Sequence, residues 1–402
     1  MTDNQIDKLI QPIITRQEAI NNYIIQKIAR RVKEIGHLLS SDVYALERLF
    51  KMGADVRDIN KKLAQVTKLQ EKDIKKLIEY IAKEAYIDAK PYYDYKNIPF
   101  IPFEENEPLQ RLVKSIAKQT NNTYRNMSKA QGFMLRDMKN PTKLKPTTVS
   151  KAYQSVLDEA IQASQSGVMD YNTAMRRTMK QLSDSGLRYI TYHTPTGRTF
   201  SQRLDTAVRR NLMDGIRALN QGVQDEVGKQ FGADGKEITV HANSAPDHEP
   251  IQGHQFTNEE YDKLQNNKPF KDLNGRKFAA IERPIGVLNC KHFTYSIICG
   301  VTRPNFTQEQ LDKMIADNKK GYTDSKGNHR TMYECTQEQR RIETKIREQK
   351  ERQMTFEACG DKEGALEART KVKLLTNQYN AFSKACGLTP MKDRTRVSGY
   401  TK

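Results

Sequence analysis

Hydrophobic residues recur at three- and four-residue intervals over most of this chain, a period that predicts a predominantly helical fold. Ile20, Ile24, Ile28, Val32, Ile35 and Leu39 share one helix face, with Thr15 and Glu18 spaced as a capping box at its start. Leu63, Val66, Leu69, Ile74, Leu77, Ile78 and Ile81 repeat the theme. Residues 1–90 therefore read as an N-terminal helical region, a small bundle or an arm that docks on a partner. Residues 91–110 interrupt the period with Pro91, Pro99, Pro102 and Pro108 among five aromatics, which predicts a packed connector and forbids a continuous helix.

Helical spacing returns over 111–230. Its strongest run is Leu204, Val208, Leu212, Ile216, Leu219, Val223 and Val227, a helix of about seven turns. Between 187 and 300 the period shortens to two in RYITYHT, KEITVHA and NCKHFTYSII, with glycine and proline between them, so strands enter here. Residues 231–305 form the α+β part, with a short helix capped by Thr257 and Glu260. Residues 306–402 begin with a helix opened by Thr307 and Gln310. A helical hairpin over 336–385 follows, reversing near Cys359–Gly360–Asp361, and a basic tail predicted to be mobile ends the chain. The expected fold class is α+β and predominantly helical: an N-terminal arm or bundle, a central helical region with a small sheet, and a C-terminal hairpin.

Charge changes the picture. Of 402 residues, 67 are Lys or Arg and 49 Asp or Glu, a net charge of +18 that favours a polyanionic partner. No run approaches the roughly 18–20 apolar residues of a bilayer span, so no membrane anchor is expected. Five cysteines, sparse and odd in number, argue against a disulfide framework.

Two stretches offer cations to nucleic acid. Arg203, Arg210 and Arg217 are spaced by sevens along the long helix, a line that could meet phosphates or form an ordinary solvated face. Arg125, Lys129, Arg136, Lys139, Lys143, Lys145 and Lys151 face only Asp137 as a counter-charge, a patch suited to sequence-independent backbone binding or simply a lysine-rich loop. The chemistry-bearing residues concentrate in HANSAPDHEPIQGH and LNCKH. His241, His248, Cys290 and His292 are a possible zinc set, although the paired C-x-x-C spacing is missing, and the alternative is a hydrogen-bonded knot bracing two loops. No cofactor is therefore expected outright. DHEPIQG, with Asp247 and His248, also resembles part of an HNH nuclease motif, with Asn289, Cys290 and His292 as its distal part. No phosphate-binding glycine loop or nucleophile elbow is present, which argues against ATP hydrolysis and serine-hydrolase chemistry and excludes a packaging motor.

Taken in order, SVLDEAIQASQSGVMDYNTAMRR, LRYITYHTPTGRTFSQRLDTAVRRNL, VHANSAPDHEPIQGHQF and ERPIGVLNCKHFTYSIICGVTRP resemble the phage minor capsid protein 2 family, a relative of the Mu F-like minor head proteins. The resemblance implies a structural, non-enzymatic minor head protein of a tailed phage, made in the host cytoplasm and carried in the virion at the portal vertex. It implies the portal protein, other head proteins and double-stranded DNA as partners during assembly, packaging or ejection. On that reading His241, Asp247, His248, Cys290 and His292 are a family signature of the α+β part, and an HNH-like nuclease is the alternative.

Overall fold

The computed structural model describes residues 3–401 apart from 36–41, 138–139, 141, 167–168, 194–197, 273–274, 280, 282, 288–289 and 291. The elements in chain order are α1 (Asp3–Ile35), α2 (Asp42–Ile87), α3 (Lys90–Lys96), α4 (Glu107–Lys129), β1 (Gln131–Arg136), β2 (Leu144–Thr148), α5 (Val149–Gln165) and α6 (Tyr171–Ser185). They continue with β3 (Arg188–His193), β4 (Arg198–Arg203), α7 (Leu204–Gln230), β5 (Gly235–Ile238), β6 (Gln255–Thr257) and α8 (Asn258–Gln265). After these come β7 (Phe270–Lys271), β8 (Lys277–Phe278), β9 (Thr294–Ile297), α9 (Gln308–Lys320), β10 (Tyr322–Thr323), β11 (His329–Arg330), α10 (Met332–Cys359) and α11 (Lys362–Ala385). The chain is α+β and predominantly helical, as its periodicity requires.

The helices share a core. Every member of the α7 stripe from Leu204 to Val227 is buried, and it meets Ile24 and Ile28 of α1, Ile74 and Ile78 of α2, and Leu109 and Val113 of α4 in one hydrophobic cluster. The first helix thus lies inside the molecule. Its start differs from expectation: α1 begins at Asp3 and runs through Thr15, so Thr15 and Glu18 are mid-helix residues and not a cap. Ile6, Ile10, Ile13 and Ile14 extend the buried face upstream, and Pro12 is accommodated on the exposed side. Leu39 lies outside the described residues. The proline-rich connector packs as expected, with Tyr86 stacked on Phe100 at 4.7 Å and Tyr93 edge-on to Phe231 at 5.1 Å. Within it Pro91 opens the short α3, where its missing N–H costs nothing.

Two antiparallel sheets matter for the site. One has strand order β2-β1-β3-β4, and the other has order β6-β5-β9. The β1–β2 hairpin falls within a region expected to be helical and loop-like. β2 is an edge strand whose Pro146 sits opposite Met134. The smaller sheet has its own core of Ile238, Ile251, Phe256, Tyr261, Leu264, Phe278, Ile281 and Ile285. It is tied to α7 by Thr294 donating to Gln221 (2.6 Å) and Ser296 donating to the Gln224 carbonyl (2.8 Å). The capping boxes at Thr257/Glu260 and Thr307/Gln310 form as expected.

The C-terminal hairpin reverses where glycine predicts it. Gly360 takes φ +78°, ending α10, and Asp361 caps the start of α11 through the Gly364 N–H. Ile342 and Ile346 pack with Leu375, Tyr379 and Phe382. The tail beyond it corrects an expectation of mobility. Val397 is buried, Asn22 donates to the Ser398 carbonyl at 2.8 Å, and Tyr400 donates to Gln353 at 2.9 Å. Among the described residues, no helix is long and apolar enough to cross a membrane.

A buried ionic seam joins α1, α7 and α10. Arg203 grips Glu351 with both terminal nitrogens (2.8 and 2.6 Å), and Arg347 reaches Asp205 at 3.2 Å and Glu18 at 3.3 Å. Burial and the nearby Asp205 carboxylate push the Glu18 carboxyl up to about 7, against the pull of Arg347. The unfolded chain releases this proton near 4.5. The native state's hold on the proton therefore stabilises fully below that pH and is lost as pH rises to about 7. Glu18→Gln keeps the neutral shape. It is expected to raise stability in urea near pH 8 by about 2–3 kcal/mol and to change it little near pH 4.5. An equal effect at both pH values would contradict the assignment.

Candidate functional site

β5 and β9 pair antiparallel with Ile238 opposite Thr294, and beyond this register Thr239 N–H donates to the Phe293 carbonyl at 2.9 Å. The ladder delivers the chain after β5 and the chain before β9 to the same end of the small sheet. The first, residues 239–254, folds back through tight turns: His248 N–H donates to Ala245, Gln252 N–H to His248, and Gly253 N–H to Ile238. Gly253 makes this return possible. Its φ is +73°, and a Cβ there would stand 2.5 Å from Leu311 of α9. Asn318 of α9 braces the same loop by donating to Glu249 at 2.7 Å.

The two segments bring His248, Cys290 and His292 together, all three buried, with their ligand atoms within 4.8 Å of one another. Cys290 Sγ lies 3.3 Å from His248 Nδ1 and 3.5 Å from His292 Nδ1. The outer nitrogens are tethered as well, His248 Nε2 to the Arg283 carbonyl at 2.7 Å and His292 Nε2 to Gln252 Oε1 at 3.3 Å. His241, half-buried, sets its ring edge-on to His292 at 4.8 Å but stands outside the trio. Asp247 borders the trio, with one carboxylate oxygen 3.6 Å from His248 Nε2. Both its oxygens take the Arg283 guanidinium, at 2.9 and 2.7 Å. His254 belongs elsewhere, with its Nδ1 accepting from Arg276 and its ring against Phe278. Asn289 lies outside the described residues.

Electrostatics follow from this packing. Burial pushes His292 down to about 2, helped by its neighbours His241 and His248, so its ring is neutral. Burial raises the Cys290 thiol, but the His248 hydrogen bond and local N–H groups outweigh it and hold the thiol below its usual value. Burial likewise opposes ionisation of Asp247, and the Arg283 fork overcomes it. Arg283 and Gln252 are the braces that sequence reasoning missed. Each is an ordinary polar residue whose partner lies 36 or 40 positions away, and neither carries a local signal.

The arginine line does not form a solvated face. Arg203, half-buried, is held in its ion pair with Glu351, and Arg217 is buried beside a cleft of about 650 Å³ that it lines with Asp7, Glu18, Arg209, Arg340 and Arg347. Arg210, half-buried, donates to Gln202 at 2.7 Å. Spacing by sevens aligned the three, but Glu351 of α10 takes Arg203, Gln202 of β4 takes Arg210, and Arg340 and Arg347 of α10 line the cleft beside Arg217. The basic segment fares differently. Lys129, Arg136, Lys143, Lys145 and Lys151 are exposed around the β1–β2 hairpin, whereas Arg125 is engaged by Glu71 at 2.9 Å through two nitrogens. Lys139 lies outside the described residues.

All five cysteines are free thiols. Comparison with curated proteins finds no significant match, and neither does comparison with solved structures. The sequence model for phage minor capsid protein 2 matches residues 1–384, nearly the entire chain, and the protein therefore belongs to the phage minor capsid protein 2 family.

Proposed function

We propose that this chain is a structural minor component of a tailed-phage head, made in the host cytoplasm and carried in the virion on the portal side, where it meets other head proteins and touches double-stranded DNA without reading its sequence. The observation that carries the proposal is the family match over residues 1–384. A capsid-protein family supports a structural role in the head and head proteins as partners. The portal side and DNA contact are the finer steps. DNA contact draws on the net charge of +18 and on Lys129, Arg136, Lys143, Lys145 and Lys151 standing in solvent around one hairpin. Lysines on an edge strand such as β2 also discourage edge-to-edge pairing, so charge by itself does not decide.

Catalysis has less support. An HNH-like reading needs His248 free to activate water, and both its ring nitrogens are engaged inside the protein. Asp247 is committed to Arg283. The test has two readouts. Mass spectrometry of purified virions is expected to find the chain at low copy relative to the major capsid protein, with cross-links to the portal. The isolated chain is expected to bind unrelated DNA duplexes equally, with log affinity falling linearly in log salt, and Lys143→Glu with Lys145→Glu is expected to reduce that slope by about 1 per lost phosphate contact. Absence from virions, or DNA cleavage that vanishes in His248→Ala, would overturn the reading. A flat salt response would remove DNA from it.

A further inference from the structure

The His248–Cys290–His292 cluster has a hydrogen-bonding problem that its neutral groups cannot resolve, and that an imidazolium at His248 resolves only by placing a charge on a ring 1% exposed. The Arg283 carbonyl can only accept, so His248 Nε2 must donate to it. Gln252 Oε1 accepts the His241 backbone N–H at 3.0 Å, which identifies that atom as the amide oxygen, so His292 Nε2 must donate as well. A neutral imidazole that donates from Nε2 carries a lone pair on Nδ1. Both Nδ1 atoms are aimed at the same sulfur, at 3.3 and 3.5 Å. A thiol has one hydrogen. It can serve one of these nitrogens and must leave the other facing sulfur lone pairs in a buried site, an expensive arrangement. The His292 backbone N–H also points at Sγ (3.4 Å), as suits a sulfur carrying negative charge.

A cation between the three atoms removes the conflict. Bond lengths of about 2.3 Å to sulfur and about 2.0–2.1 Å to nitrogen at a tetrahedral angle place S and N about 3.5 Å apart. The two S–N edges measure 3.3 and 3.5 Å. We propose that this cluster is a zinc site, with Cys290 Sγ, His248 Nδ1 and His292 Nδ1 as ligands. Thiolate with imidazole selects zinc over magnesium or calcium, whose ligands are oxygens. The outer N–H groups donate to carbonyl oxygens, the usual support for ligating histidines. His241 sets its ring beside His292, outside the three proposed ligands.

The site also has something to do there. It joins the chain after β5 to the chain before β9 in a part of the molecule whose core is small, where a metal can supply stability that apolar burial does not. This inference does not rest on the head-protein reading, because it concerns the isolated chain. Untagged full-length protein, dialysed against metal-free buffer, is expected to retain about one equivalent of zinc by elemental analysis. Removing it with a chelator should lower the thermal midpoint, and added zinc should restore it. Cobalt in place of zinc should show a thiolate charge-transfer band and tetrahedral d–d absorption. Cys290→Ser should abolish that band, and His292→Gln should weaken zinc binding at least about tenfold, while His329→Gln on the exposed β11 should change neither. Should Cys290→Ser fail to fold, the cobalt spectrum of the unaltered protein decides. No retained zinc together with no thiolate band, or zinc binding untouched by both ligand variants, would overturn the proposal.

Discussion

Replacing Glu351 with alanine is expected to destabilise the protein by about 3–5 kcal/mol, read from urea unfolding at neutral pH. The size follows from what the variant leaves behind. Arg203 sits where β4 passes into α7, with its side chain 14% exposed, and Glu351 on α10 is 3% exposed. The guanidinium and carboxylate meet as parallel forks, so each offsets the other's loss of water. Without Glu351, the hydrogen-bonded carboxylate left to Arg203 among the described residues is Asp205, 3.4 Å from its Nε and already shared with Arg347. A cation almost sealed from solvent cannot discharge at any ordinary pH, so the missing partner costs far more than a surface pair would. Replacing both members together, Arg203→Met with Glu351→Leu, should recover most of the loss, since a buried pair and an apolar pair of similar volume are often nearly equal in stability. The variant carries a second signature. Glu351 is one of the charges that raise the Glu18 carboxyl, so the pH dependence assigned to Glu18 should weaken in Glu351→Ala. A loss below about 1 kcal/mol would mean that water reaches the pair.

That seam also marks where the sequence stopped being readable. The apolar stripe of α7 is periodic, and period survives any tertiary context, so its burial was legible residue by residue. The reversal at Cys359–Gly360–Asp361 was legible for a similar reason: glycine at positive φ and an aspartate cap act within a few residues. Arg217 lies on α7 and Arg203 at its N-terminal cap, but whether Arg203 meets water depends on α10, whose Glu351 lies 148 positions further on. The capping-box spacing at Thr15 and Glu18 was overridden by isoleucines continuing the helix upstream. β1 and β2 escaped notice because QGFMLR and LKPTT have little alternation of their own, and β1 is held by partners on both sides. The His and Cys residues of the site stood out by type and clustering, and three of the four possible zinc ligands do meet. Their supports, Gln252 and Arg283, were invisible because nothing local distinguishes a bracing glutamine from an idle one. The tail read as mobile from its charge, yet Val397 and Tyr400 fasten it.

Deleting residues 1–35 is expected to abolish cooperative folding, giving a product that is insoluble or lacks a sigmoidal thermal transition by circular dichroism. A docking arm could be removed without this result, since an arm owes its contacts to a partner. The first helix instead contributes Ile6, Ile10, Ile13, Ile14, Ile20, Ile24, Ile25, Ile28 and Val32 to the core shared with α2, α4 and α7. At about 1.5–3 kcal/mol for each branched side chain buried, their combined contribution matches or exceeds the roughly 5–15 kcal/mol by which a typical domain is stable. Polar groups point the same way. Asn21 accepts the Leu187 N–H at 2.6 Å just before β3, Gln70 donates to the Ile13 carbonyl at 3.0 Å, and Arg209 pairs with Asp7 at 2.5 Å. Truncation would strand buried donors and acceptors as well as apolar surface, and each stranded group adds about 1–3 kcal/mol. A truncated chain that stays soluble and melts in one cooperative step would mean that the helix is an accessory laid on a self-sufficient body. Its isoleucines would then be free to serve a neighbouring head protein.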